Sequence, residues 1–220
     1  MMERNIAAEA LRYLGVKRDP DGAVLADLTA LAEELQARIR PRHVLRVLDV
    51  VREGDSLSLG GAVRLPGGLA RRMLAECGQA SLLVCTLGAG FDAWMRALQA
   101  RDMARAVMLD ALGSAWVEAG CDAAEGELSS RFPGLYLTDR FSPGYGDLPL
   151  SVQPAILTAT DAARRLGVTA TESCLLIPQK TVTAVIGIAD APQPARIRGC
   201  AHCPMGEHCL YRKGGITCEP

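Results

Sequence analysis

The sequence is poor in histidine and in aromatic side chains, and it carries almost no net charge. It has three histidines, and aromatic residues make up 4% of its 220 positions. Only His43 lies outside residues 200–220, so Ser-His-Asp hydrolysis has almost no material to be built from. Lys and Arg number 24 against 25 Asp and Glu, a formal charge of −1, so no global field draws the chain to nucleic acid or to an anionic membrane. Long apolar runs are also missing. The longest uncharged stretch, residues 77–91, is too short for a bilayer and contains Gly78, Gln79, Gly88 and Gly90. Near the N-terminus, Glu3, Arg4, Glu9 and Arg12 stand where a signal peptide would be apolar. Gly88-Ala89-Gly90 lacks the third glycine and the lysine of the common phosphate-binding loops.

What is present is a globular composition, 49% hydrophobic and 22% charged, of a length suited to one domain with an appendage. Eight cysteines are the unusual feature. Cys200, Cys203, Cys209 and Cys218 crowd the C-terminus, a distribution unlike a secreted disulfide scaffold and suited to a reduced, cytoplasmic protein. Cys77, Cys85, Cys121 and Cys174 fall in apolar segments and read as small buried hydrophobes.

The hydrophobic pattern alternates helices and strands. Ala7, Ala10, Leu11 and Leu14 predict a short helix ending at Gly15. Asp19-Pro20 reads as the start of a second helix, with Val24, Leu28, Leu31, Leu35 and Ile39 as its stripe and Pro41 beyond its end. Val44 to Val51 and Leu57 to Leu59 predict a strand pair turning near Gly54. A short helix is expected over 67–77, then a central strand over 81–87 that is apolar on both faces. Helices follow from about Asp92 and over 103–128, then a short strand over 135–137. A four-turn helix capped by Ser151 is expected to run to Leu166-Gly167. Strands over 174–177 and 182–188 complete the body, and Ala191-Pro192-Gln193-Pro194 links it to the tail. Pattern alone leaves α+β and α/β both open.

Two segments carry candidate chemistry. In the first, Pro143-Gly144 makes a turn that side chains cannot crowd, leaving backbone amides and carbonyls to face a ligand. Arg140 offers a fork for a carboxylate, and Tyr145 offers a ring and a hydroxyl. An amino-acid sulfonium would suit that mixture. On spacing alone, the same residues also describe a plain turn with Arg140 on the surface.

The stretch Arg140-Phe141-Ser142-Pro143-Gly144-Tyr145 resembles the Arg-x-x-Pro-Gly-Tyr motif of the activation domain of cobalamin-dependent methionine synthase. Residues 146–153 are closer to the small stand-alone relatives of that domain. Cys85-Thr86-Leu87-Gly88 and residues 176–183 add weaker matches, and the resemblance spans most of residues 1–190. It implies an α+β fold with a twisted, mainly antiparallel sheet bordered by helices. It further implies a reactivation subunit that binds S-adenosylmethionine and supports reductive methylation of cob(II)alamin. The cobalamin would arrive on a partner, a corrinoid-binding methionine synthase or related methyltransferase, with flavodoxin or ferredoxin as electron donor. Arg140 would hold the ligand carboxylate, Ser142, Pro143 and Gly144 would line the site, and Tyr145 would contact ligand or corrin. Asp110 and Glu118, eight residues apart on the long helix, are the acids the family places near the ligand. Ser114 stands between them where the family pattern has another acid. A solvated helix face is the alternative for that pair.

The second segment is residues 191–220, with Cys200-x2-Cys203-x5-Cys209-x8-Cys218 as candidate metal ligands. Thiolates at C-x-x-C spacing reach one metal from a single turn, and the other two could close a four-sulfur site. Zinc would give structural closure, and an iron–sulfur cluster would suit electron delivery. The spacing matches neither the zinc ribbon nor the ferredoxin run, and a tail of reduced cysteines is the alternative. The competing functional reading is a metal-tailed regulatory partner of a corrinoid protein that does not bind S-adenosylmethionine.

Overall fold

The computed structural model describes residues 5–16, 21–54 and 56–197. Helix α1 (Ile6–Tyr13) is capped by the Asn5 side chain, and α2 (Gly22–Arg38) by that of Asp21. The expected start at Asp19-Pro20 lies outside the described residues, and the cap belongs to Asp21. Leu28, Leu31 and Leu35 of the expected stripe are buried.

Strand β1 (Arg42–Glu53) is followed by β2 (Ser56–Leu59), β3 (Val63–Leu65), helix α3 (Gly68–Met73) and β4 (Gln79–Thr86). Helices α4 (Ala89–Gln99) and α5 (Met103–Arg131) come next, then β5 (Tyr136–Leu137). The expected four-turn helix is broken. A 3-10 turn at Leu150–Val152 leads into α6 (Gln153–Thr160), and Asp161, at φ 54°, separates it from α7 (Ala162–Leu166). Ser151 makes no cap: α6 starts inside a turn already wound, so no extended residue precedes it. Of the strand expected over 174–177, only β7 (Leu176–Ile177) pairs, with β6 (Thr169–Ala170), because Cys174 sits at φ 63°. Strand β8 (Thr181–Ala189) ends the body.

The main sheet has the order β3-β2-β1-β4-β8-β5, and every pairing is antiparallel. Strand β4 lies between β1 and β8 and is covered on both faces, as its unbroken apolar run requires. Alternation along the strands divides the core into two. Leu82, Val84 and Val185 face a cluster with α3, α6 and α7, while Leu83, Cys85, Ala184 and Ile186 face one with α1, α2, α4 and α5. The fold is therefore α+β, a mainly antiparallel sheet between two helical layers. Helix α5, 29 residues and about 44 Å long, is the backbone of the second layer. It lies close to its neighbours through Gly113, where a Cβ would come within 2.3 Å of Phe91, and Gly120, where one would come within 2.5 Å of Pro41.

Cys77, Cys85 and Cys121 are buried as expected, whereas Cys174 is only half-buried because its turn leaves the sheet. A hydrogen bond with Cys85 and then burial push the Cys121 thiol up, and burial does the same to Cys77, which makes both poor nucleophiles. Among the described residues, no helix is long and apolar enough to cross a membrane.

Candidate functional site

The site is built where the chain runs from α5 along the edge of β8. Thr138 pairs with Gly187 and Phe141 with Val185, so three steps on one strand match two on the other. That extra residue is a bulge, and it returns Phe141 to the first core while sending Arg140 toward α5. Without the slip, strand alternation would put Arg140 on the same face as Thr138.

Arg140 is not on the surface: its side chain is 10% exposed. Nη1 donates to Asp122 at 2.8 Å and to Glu125 at 2.5 Å, and Nη2 donates to Glu118. Helical spacing explains the convergence, since residues 118, 122 and 125 lie on one face of α5. Burial works against the arginine's charge, but Glu125 and Glu118 more than offset it and raise its pKa above the ordinary value. The fork expected to be open for a ligand carboxylate is thus filled by the protein's own acids.

The loop after Phe141 is a type II-like turn. Tyr145 N–H donates to Ser142 O, with Pro143 at the second position and Gly144 at φ 96° at the third. Gly144 N–H donates to Leu148 O at 2.7 Å, so the amides of both 144 and 145 serve the loop itself rather than standing free for a ligand. Asp147 fixes the loop from outside by accepting from the amides of Leu69 and Gly68, which hold its carboxyl below its usual pKa. The Tyr145 side chain is left 54% exposed.

Glu118, Arg140, Ser142, Pro143 and Tyr145 line one cleft of about 380 Å³, a volume within the range of small-molecule sites. Gly144 shapes the turn without lining the cleft. The far wall comes from β8 and α6: Thr183 donates to Gln153 Oε1, whose amide donates to the Cys174 carbonyl at 2.9 Å. Ile197 closes one side, held by its N–H to Asp139 at 3.0 Å.

Asp110 does not share this cleft. It sits about 12 Å along α5 from Glu118, in a second cavity of about 340 Å³ with Ser114, Tyr13, Met95 and Met103. There Lys180 Nζ lies 2.9 Å from both Asp110 Oδ1 and Ser114 Oγ. Ser114, where an acid was expected, therefore receives a lysine of the protein. Sequence reasoning missed Asp122, Glu125, Gln153, Lys180 and Ile197. The first two were legible as the next acids on the Glu118 face, whereas the others reach their places only through tertiary contacts. Cys200, Cys203, Cys209 and Cys218 lie outside the described residues. Within those residues, no group of three or more His, Cys, Asp or Glu is arranged to hold a metal.

No family model matches the chain, and no curated protein matches it in sequence. Among solved structures, the MetH reactivation domain bound to AdoHcy is similar, with a TM-score of 0.60 over 89% of this chain and 73% of that one, at 16% identity. The shared feature is the fold.

Proposed function

We propose that the chain is a reactivation subunit that binds S-adenosylmethionine in the Arg140 cleft and supports reductive methylation of cob(II)alamin on a partner corrinoid methyltransferase. The observation that carries this reading is the cleft itself. The loop 140–145 and Glu118 converge on a ligand-sized cavity, in a fold shared with a domain solved with AdoHcy. The residues fit such a ligand: a carboxylate for the cationic end, neutral hydroxyls on Ser142 and Tyr145, and apolar contacts from Leu176 and Val182.

The chain's contribution is position and electrostatic fit rather than acid–base catalysis. Cobalamin on the partner, reduced by one electron from a flavodoxin- or ferredoxin-type donor, would supply the methyl acceptor. This chain would hold S-adenosylmethionine so that the sulfonium methyl leaves with the C–S bond pair kept on sulfur as a thioether. Tyr145, exposed at the loop tip, would meet ligand or corrin. The Cys200, Cys203, Cys209 and Cys218 thiolates would hold zinc or an iron–sulfur cluster.

One observation favours the competing reading, a metal-tailed regulatory partner that does not bind S-adenosylmethionine: the Arg140 fork is already filled. Calorimetric titration of the full chain with S-adenosylmethionine separates the two. Binding that Tyr145→Ala weakens is expected, and no binding, alone or with a corrinoid protein, overturns the proposal.

A further inference from the structure

We propose that the open edge of β1 at residues 43–47 receives a strand from a partner protein, a segment in which apolar residues alternate with acidic ones. The proposal is independent of what the Arg140 cleft binds.

Strand β1 is 12 residues long, and its two neighbours cover it unequally. Strand β4 pairs with residues 42–49 on one side, whereas β2 pairs only with residues 50–53 on the other. Val50 N–H donates to Gly78 O and Gly60 N–H donates to Asp49 O, both at 2.9 Å. Even residues therefore turn their backbone groups to β4, and odd residues turn theirs to the β2 side. Beyond that last bond β2 is gone, because Gly60 and Gly61, at φ 54° and 68°, turn the chain away toward β3. The amides and carbonyls of His43, Leu45 and Val47 point outward, and among the described residues they have no hydrogen-bond partner. None of the three residues is buried, so these groups are reachable. The open stretch is about 14 Å long, room for a strand of about five residues. Main-chain pairing to such an edge is a known mode of peptide recognition.

The two faces of the edge call for different side chains. On one, Leu45 and Val47 pack against the second core, and His43 bonds Glu127 of α5 at 2.8 Å. Apolar residues set opposite Leu45 and Val47 would extend that half-buried surface. On the other face, Val44 is buried between Arg42 and Arg46, which are exposed. Arg42 Nη2 donates to Leu166 O at 2.8 Å and Arg46 to Ala159 O, and neither meets an acid among the described residues. Helix α7, which Arg42 reaches, adds exposed Arg164 and Arg165. The nearby acids are engaged: Asp161 with Arg164, Glu127 with His43 and Arg131, and Asp49 with the Gln79 amide. Directly opposite residues of an antiparallel pair share a face, so acids opposite Arg42 and Arg46 meet uncompensated charge. The same arginines disfavour a second copy of the chain, since pairing β1 with itself would gather like charges from both copies on one face.

The probe is the end-blocked peptide Val-Glu-Val-Thr-Val-Glu. Laid antiparallel, its valines stand opposite Val47, Leu45 and His43, and its glutamates opposite Arg46 and Arg42. Amide hydrogen exchange of the full native chain, followed by NMR, reads where it binds. In the free protein the amides of His43, Leu45 and Val47 should exchange faster than those of Val44, Arg46 and Leu48. Peptide at about ten times its dissociation constant should slow the first three about tenfold. Replacing both glutamates by lysine should weaken binding by about tenfold or more. N-methylating the valines removes the N–H groups that reach the β1 carbonyls and should abolish binding. No slowing of the three amides at about 1 mM peptide overturns the proposal, as does protection confined to other residues. Equal binding of the lysine peptide or retained binding of the N-methylated one overturns it too. A concentration-dependent dimer that protects the same amides without peptide overturns it in favour of a second copy.

Discussion

Arg140→Met is expected to destabilise the fold by about 3 kcal/mol. Removing one partner of a buried ion pair costs about 3–5 kcal/mol, because the remaining charge is left without compensation. Here one guanidinium serves three carboxylates, so its loss also leaves like charges together on one face of α5. The acids are 20–33% exposed, and water recovers part of the loss, which puts the expected value at the low end. In a chain of this size, about 3 kcal/mol corresponds to a melting temperature lower by roughly 6–12 °C. Urea unfolding followed by far-ultraviolet circular dichroism should show a lower midpoint at unchanged slope. Adding Glu125→Gln lowers the repulsion among the acids of α5 and should recover part of the loss, whereas the same change in the native background should cost stability. An unchanged midpoint for Arg140→Met, or identical effects of Glu125→Gln in both backgrounds, would refute the cage as a stabilising unit.

Three further outcomes are expected. Gly113→Ala gains about 1 kcal/mol of helix propensity, but its Cβ would lie 2.3 Å from the buried Phe91 ring. Overpacking of about 1–3 kcal/mol should dominate, and a variant more stable than the native protein by thermal unfolding would contradict that packing. The amides of Leu69 and Gly68 lower the Asp147 pKa, so its contribution is present above the unfolded value near 4 and is lost as pH falls through the depressed folded value. Asp147→Ala should therefore destabilise at about pH 7 and converge with the native protein once pH has fallen below the depressed folded value, and a pH-independent difference between their urea midpoints would remove the assigned role. Protein purified without air should carry either stoichiometric zinc or visible charge-transfer absorbance that Cys200→Ser with Cys203→Ser abolishes; colourless, metal-free protein would dispose of both tail assignments.

Much of the fold was legible because its elements announce themselves locally. The unbroken apolar run at 81–87 marked the central strand, and the residues of α5 contain no proline over 29 positions. The misread elements fail for physical reasons that a periodic pattern does not carry. Asp161 takes a left-handed conformation that splits one helix into two, and Cys174 does the same to a strand. In the site, the loop 140–145 and Glu118 were legible, but their relation was not. Arg140 reads in sequence as an open fork, and it is a filled one.

The sequence alone determined which residue types were available: a Pro-Gly turn beside one arginine and one tyrosine, acids at helical spacing, almost no histidine, and a separate cysteine-rich tail. Those are properties of local chain geometry and composition. Only the tertiary structure decided what the arginine faces, because that depends on a one-residue bulge against β8 and on three acids of α5, 15 to 22 residues earlier in the chain. It also separated Asp110 from Glu118, since Lys180 enters from before β8 and takes the first acid for itself. Charges act through space rather than along the sequence, and so the chemistry of this cleft is set by which elements pack together.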